Sequence, residues 1–325
     1  MITVTNLKKR FNLEAGFFAK YGRFVYAVND VSFTINDGET YGLVGESGCG
    51  KSTTARLLVK MYAADSGSVV YKDSGTNEPI DVMRLKGSDL KTYREKVKYV
   101  FQDPVRSLNP RMTIFNVLTS GYRHSKRWQG KNKAKEEAKA ILEEVGLSIS
   151  DLERRPADFS GGQRQRISIA RALLMQPELL ICDEVVSALD VSVQGQILNL
   201  LQDIRKKRNL SMLFIAHDLK VSCYFCDRIG VMYRGVMMEE ANAKDLYKTA
   251  LHPYTKLLFA SVAGQNLASA ADQTTHKGEV KAQTQQTSGC PFTERCPHCM
   301  DKCHGELPPM EQVAENHKVR CWLKN

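Results

Sequence analysis

"GESGCGKST", Gly45 to Thr53, is the stretch from which the rest of the 325-residue chain is read. It fits G-x-x-x-x-G-K-[ST], with Gly45, Gly50, Lys51 and Ser52 at the fixed places. Glycines permit positive φ and let backbone N–H groups turn inward around an anion. A helix starting there adds its own unsatisfied N–H groups and a partial positive charge. In such a loop Lys51 reaches the β- and γ-phosphates and the Ser52 hydroxyl ligates Mg²⁺. The whole run of Gly45, Glu46, Ser47, Gly48, Cys49, Gly50, Lys51, Ser52 and Thr53 is therefore expected to cradle ATP with Mg²⁺.

Working outward, "TYGLVG" reads as a short apolar strand entering the loop, and "GKSTTARLLVKMY" as a helix with apolar spacing at Ala55, Leu57, Leu58 and Met61. "ELLICDE" and "SMLFIAHD" are apolar runs that end in polar groups, the pattern of buried parallel strands with functional residues at their C-terminal ends. "VSVQGQILNLLQDIRKKR" between them reads as a helix, and this alternation predicts an α/β fold, a mixed sheet with flanking helices. "ITVTNL" and "VSFTI" read as strands of an antiparallel β subdomain. Residues 103–174 lack strand signals and are expected to be a helical subdomain. The expected organisation is an ATPase domain over 1–263, a polar linker over 264–289 and a cysteine-rich extension over 290–325, with no internal repeat.

The net charge of +10 permits nucleic acid or anionic lipid as a partner. The basic residues are dispersed, however, and clusters such as "RKKR" (Arg205 to Arg208) read as solvated helix faces. No apolar run approaches the ~18–20 residues needed to cross a bilayer. "MITVTNLKKR" has no apolar segment after a basic start, so no signal peptide is expected. The reading is of a cytoplasmic protein that reaches a membrane only through a membrane-bound partner.

Two further stretches extend the chemistry. "LLICDE" ends in Asp183 and Glu184: the first carboxylate is placed to hold Mg²⁺, the second to orient water or take its proton. "FSGGQRQR" offers a second helix N-terminus with exposed glycine backbone, Ser160, Gly161, Gly162 and Gln163, but no lysine. One ATP does not need two such sites from the same chain. The second makes sense if it completes the pocket of another subunit.

In order along the chain, "GESGCGKST", "FSGGQRQR", "LLICDE", "SALD" (Ser187 to Asp190) and "IAHD" (Ile215 to Asp218) resemble the motif set of ATP-binding-cassette (ABC) ATPases. "YVFQDP" supplies the glutamine of the Q-loop, Gln102. "QDPVRSLNPRMTI", "HPYTKLL" and "GCPFTERCPHCMDKC" narrow the resemblance to the ATPase subunit of dipeptide/oligopeptide importers, over almost the whole chain. The resemblance implies that Gln102 senses the γ-phosphate and Mg²⁺, that Glu184 polarises the attacking water, and that His217 contacts the γ-phosphate. It implies that Ser160 and Gly162 touch the nucleotide of the opposite subunit and that Asp190 connects the two sites. Phe11 lies where the family often stacks an aromatic on adenine, with Tyr26 and Phe24 as competitors. The one departure is Val185, where the peptide-importer branch usually has proline.

The implied partners are a second ABC ATPase subunit, read as a related but different chain, two transmembrane permease subunits and, indirectly, an extracytoplasmic solute-binding protein. Other cargo such as nickel remains open. A DNA-repair or chromosome-associated ABC ATPase is disfavoured, because only 109 positions separate Lys51 from Ser160 and no heptads run between them. Nucleic acid is not an expected partner.

Nine cysteines are unevenly spread: five of them fall between Cys290 and Cys321. That tail has few apolar residues and cannot bury enough surface to hold itself together, so a metal centre would supply the missing constraint. The resemblance implies a [4Fe–4S] cluster on Cys290, Cys296, Cys303 and Cys321. Four thiolates suit structural Zn²⁺ equally well. Cys299 is extra to the pattern, and His298 or His304 could replace a ligand. Cys49 and Cys182 are read as space-filling.

Overall fold

The computed structural model describes residues 1–13, 24–73, 75, 78–262 and 288–323. Apart from Ser288 and Gly289, the linker expected over 264–289 lies outside the described residues. The chain divides into two units: Met1–Arg84 with Phe214–Asn325, and Leu85–Leu213.

In chain order the first unit begins with strands β1 (Ile2–Asn12), β2 (Phe24–Ile35) and β3 (Thr40–Val44), helix α1 (Lys51–Leu58), and strands β4 (Ser66–Lys72) and β5 (Pro79–Asp81). The second unit holds α2 (Gly87–Lys96), β6 (Val97–Val100), α3 (Pro104–Ser107), α4 (Ile114–Tyr122), α5 (Lys131–Glu144), α6 (Gly161–Leu173), β7 (Leu179–Asp183) and α7 (Val191–Arg208). Strand β8 (Ser211–Ala216) leaves the second unit and re-enters the first. The first unit then continues with α8 (Leu219–Phe225), β9 (Arg228–Tyr233), β10 (Val236–Asn242), α9 (Ala243–Thr249), α10 (Pro253–Val262), α11 (Asp301–Gly305), β11 (Glu311–Ala314) and β12 (His317–Val319).

Two sheets shape the first unit. One is antiparallel, in the order β2-β1-β4-β5. The other is mixed. Strands β3 and β9 run parallel, whereas β9–β10, β10–β12 and β12–β11 are antiparallel. Every residue of β3 is buried, as a strand covered on both faces requires. The tail enters this sheet directly, with Glu239 opposite Val319 and Glu240 opposite Lys318.

In the second unit β6 and β7 pair in parallel, and the elements described between Asp103 and Leu174 are helical. Helix α5 buries Ala134, Ala138, Ile141 and Leu142, a stripe at helical spacing. Among the described residues no helix is long and apolar enough to cross a membrane.

Several elements differ from the sequence reading. The helix after the phosphate loop stops at Leu58, because Lys60 turns into the left-handed region with φ 54°. Strands β1 and β2 run to 11 and 12 residues, well past "ITVTNL" and "VSFTI", since each pairs antiparallel over most of its length. Strand β10 was not legible as a strand. It carries Glu239 and Glu240, both buried, and their charges are met by distant partners. Glu239 accepts from the Leu251 and His252 N–H groups and from His317, and Glu240 pairs with Arg228.

Candidate functional site

Strand β3 delivers the chain into the phosphate loop, and α1 leaves it with Gly50 as N-cap in the left-handed region, φ 106°. No other residue fits there: a Cβ on Gly50 would stand 2.0 Å from the Ala27 carbonyl oxygen. Gly45 is equally confined, 2.1 Å from the Met232 oxygen by the same construction. The floor is fixed from behind by Gly235, whose N–H donates to the Cys49 carbonyl at 2.8 Å. Lys51 is buried, and its Nζ donates to the carbonyls of Gly45 and Glu46 at 2.7 and 3.0 Å. Ser47 and Gly48 are exposed at the rim, and Ser52 and Thr53 are half-buried on the first turn of α1. Cys49 lies beneath the loop, fully buried. Burial raises its thiol pKa, which fits a space-filling residue rather than a nucleophile.

Phe11 is half-buried on β1, edge-on to Tyr62 at 5.2 Å, with the Lys9 ammonium over its ring. Of its competitors, Phe24 is covered by the Arg10 guanidinium at 4.4 Å. Tyr26 immediately precedes Ala27, the residue whose carbonyl abuts Gly50.

His217 follows the end of β8 and is exposed. Its neighbour Asp218 is the N-cap of α8 and accepts from the N–H groups of Lys220 and Val221 at 2.8 and 3.1 Å. The "IAHD" stretch thus spends its aspartate on a helix cap and leaves the imidazole exposed.

The second unit assembles the acidic half. Asp183 ends β7 and is buried. Its Oδ2 accepts from the Tyr99 hydroxyl, carried by β6, where Tyr99 stands opposite Ile181. Sequence reasoning did not single out Tyr99. Its only signal was its place in "KYVFQDP", three residues before Gln102. Glu184 takes φ 49°, a conformation costly for a residue with a Cβ and typical of functional sites. Its carbonyl accepts from the Ser187 N–H and hydroxyl at 3.1 and 2.9 Å, which closes a tight turn. Val185, where the family usually has proline, is buried in that turn. The Gln102 Nε2 donates to Glu184 Oε2 at 2.7 Å, so these two predicted residues are in direct contact. Cys182 is buried and its thiol pKa is pushed up to about 12.

Ser160 caps α6. Its Oγ accepts from the Gln163 N–H at 3.3 Å, and Gln163 Oε1 accepts from the Ser160 N–H at 3.0 Å. Ser160 and Gly161 are exposed, and a Cβ on Gly162 would meet Val193 at 2.6 Å. Asp190 caps α7 and is exposed, as is Val191 beside it at 84%.

Residues 28–187 match the ABC transporter family model, and residues 238–303 match that of the oligopeptide/dipeptide transporter C-terminal region. The chain is 40% identical to the Oligopeptide transport ATP-binding protein AppF of Bacillus subtilis over 99% of its own length and 97% of that protein. It is also 40% identical to the "Probable peptide ABC transporter ATP-binding protein y4tS" of Sinorhizobium fredii, over 100% of this chain and 90% of that one. The chain belongs to the oligopeptide/dipeptide family of ABC transporter ATP-binding proteins. Its fold matches a dimeric post-hydrolysis structure of the ATP-binding cassette MJ0796 bound to ADP and Pi, with TM-score 0.64 and 26% identity, over 75% of this chain and 99% of that one. This ABC subunit is an ATPase, and hydrolysis energises a transporter.

In the tail of this ABC subunit, Cys290, Cys296, Cys303 and Cys321 line one cavity together with His252 and Trp322. Among the described residues, however, no three or more His, Cys, Asp or Glu side chains form a group that could hold a metal ion. Burial pushes the Cys290 thiol up to about 11 and raises that of Cys296. Cys299 is exposed, its Sγ 3.4 Å from His304 Nε2. His252 is buried and its pKa is pushed down to about 4, so the ring is neutral and its Nδ1 accepts from the Tyr254 N–H at 3.0 Å.

Proposed function

We propose that this subunit couples ATP hydrolysis to the import of dipeptides or oligopeptides, on the cytoplasmic face of a membrane to which permease subunits hold it. Lys51 and the loop around it bind the phosphates. Ser52, Asp183 and Gln102 hold Mg²⁺, Glu184 polarises water, and His217 supports the γ-phosphate. Ser160, Gly161, Gly162 and Gln163 serve the nucleotide of a second ATPase subunit, with Asp190 beside them. Phe11, with Tyr26 and Phe24 as its competitors, meets the base. The domain boundaries follow the sequence reading: 1–263, with helices over 103–174, then 264–289 and 290–325.

The observation that carries this reading is the Gln102–Glu184 hydrogen bond. It joins the residue expected to sense nucleotide to the residue expected to activate water. Glu184→Gln should retain ATP binding and lose turnover by ~10²–10⁴-fold, as removal of a general base does. Near-wild-type hydrolysis in that variant would remove Glu184 from the mechanism. Cargo is tested by purifying the complex from its native membrane and assaying ATPase stimulation by peptides against nickel.

The four tail cysteines are proposed to hold a [4Fe–4S] cluster. Two observations support the fit. The four thiols share one cavity, and the buried Trp322 Nε1, which also lines it, has no hydrogen-bond partner among the described residues. A donor of that kind suits a sulfide or thiolate acceptor. Four thiolates would suit a structural Zn²⁺ as well, so the metal content of the purified protein decides between the two. The cluster would supply a cross-link, with Cys290, Cys296, Cys303 and Cys321 as its ligands. Anaerobically purified protein should be brown with about four irons per chain; colourless, zinc-containing protein would refute the assignment.

A further inference from the structure

Outside the phosphate loop, one group of side chains is aimed at a single residue within it. Arg295 donates both guanidinium branches to Glu46, Nη1 to Oε2 at 2.7 Å and Nη2 to Oε1 at 2.9 Å. From another element the Tyr254 hydroxyl accepts the Glu46 backbone N–H at 3.0 Å. The second position of the phosphate loop is therefore held by its carboxylate and by its amide at once. Arg295 directly precedes Cys296 and ends the short turn Thr293–Arg295, which follows Pro291 and Phe292 on the run from Cys290. Tyr254 is fully buried and packs on Phe292 at 5.3 Å and on Tyr233 at 4.6 Å. The Arg295 guanidinium lies over both Tyr233 and Phe292 at 5.7 Å. One grip on Glu46, Arg295, thus belongs to the segment between two cavity cysteines, and the other, Tyr254 on α10, packs against Phe292 of that same segment.

This placement has a consequence for nucleotide binding. Lys51 Nζ now spends its hydrogen bonds on the Gly45 and Glu46 carbonyls. A phosphate can take the lysine only if those bonds are given up, and the loop must then keep its shape by other means. An uncompensated carboxylate on Glu46 would also oppose a polyanion beside it, and a bidentate arginine both neutralises and orients that carboxylate. We propose that Arg295 and Tyr254 are positioning residues for the phosphate loop, through which the integrity of the Cys290–Cys296 segment sets nucleotide affinity. The inference rests on nucleotide binding at Gly45–Thr53.

The test is MgADP binding to the full-length chain by calorimetry, which needs neither hydrolysis nor a second subunit. Arg295→Met should weaken MgADP by roughly tenfold, about 1.4 kcal/mol. Adding Glu46→Gln to it should recover most of that loss, because no charge is then left uncompensated. Cys296→Ser should weaken binding in the same direction, but should add nothing once Arg295→Met is present, the coupling expected of residues that act through one contact. If Cys296→Ser fails to fold, the two Arg295 variants alone decide. Wild-type binding with an unchanged Arg295→Met, or a lowered melting temperature in that variant with unchanged affinity, overturns the inference alone. Absence of MgADP binding by the wild type would overturn the nucleotide reading and the inference with it.

Discussion

The chain builds two glycine-rich helix N-termini, and they are finished in opposite ways. At α1 the cap is Gly50 in the left-handed region, with no side-chain cap hydrogen bond and a buried lysine turned back into the loop. At α6 the cap is Ser160, which closes a reciprocal capping box with Gln163, and it stands exposed. The first has a cap without a side-chain hydrogen bond and brings its own cation. The second satisfies part of itself and offers the rest outward. A serine cap stabilises a helix by ~1 kcal/mol, so α6 can form without a ligand. Under the proposed function, two similar glycine patterns take different tasks: a self-contained phosphate cradle, and a surface that acts on something outside its own chain.

That contrast can be broken most decisively at Lys51. Lys51→Ala should weaken MgATP on the order of 100-fold, the upper range for a charged hydrogen bond, and abolish turnover in a malachite-green assay. An affinity close to wild type would mean that the α1 cradle works by backbone alone, like α6. The complementary change is Ser160→Arg, which should lower ATP turnover by roughly 10²-fold, as loss of one anion-stabilising donor does, while MgADP binding by the isolated chain stays within about twofold. Equal loss of MgADP affinity would show that the two termini do not divide the work. The smallest effect is expected from Tyr99→Phe. Losing the hydroxyl on Asp183 should raise the Mg²⁺ concentration for half-maximal ATPase activity by about tenfold or less, with little change in melting temperature. An unchanged Mg²⁺ dependence would reduce Tyr99 to a packing residue.

How far the sequence was legible depends on how local each feature's cause is. Strands β3, β7 and β8 were visible because both faces are covered, which leaves a continuous apolar run. Strand β10 was not, because its two buried glutamates look like a solvated face until Arg228 and His317 are found beside them. The end of α1 was missed because one left-handed residue, Lys60, stops a helix whose apolar spacing continues to Met61. In the tail, the cysteines suggested a module needing a metal staple. The hairpin β11–β12 also anchors it through main-chain pairing with β10, a contact that spacing of cysteines cannot reveal.

Read alone, the order of residues already settled the phosphate chemistry. Loop, lysine, hydroxyl and helix start lie within nine consecutive positions, and backbone geometry at that range follows from residue type. Folding decided which side chains hold the reacting groups in place. Tyr99 reaches Asp183 across 84 positions and Arg295 reaches Glu46 across 249, each pair joined only because strands and turns from distant parts of the chain pack side by side. A hydrogen bond depends on position in space, and separation along the chain carries no record of it.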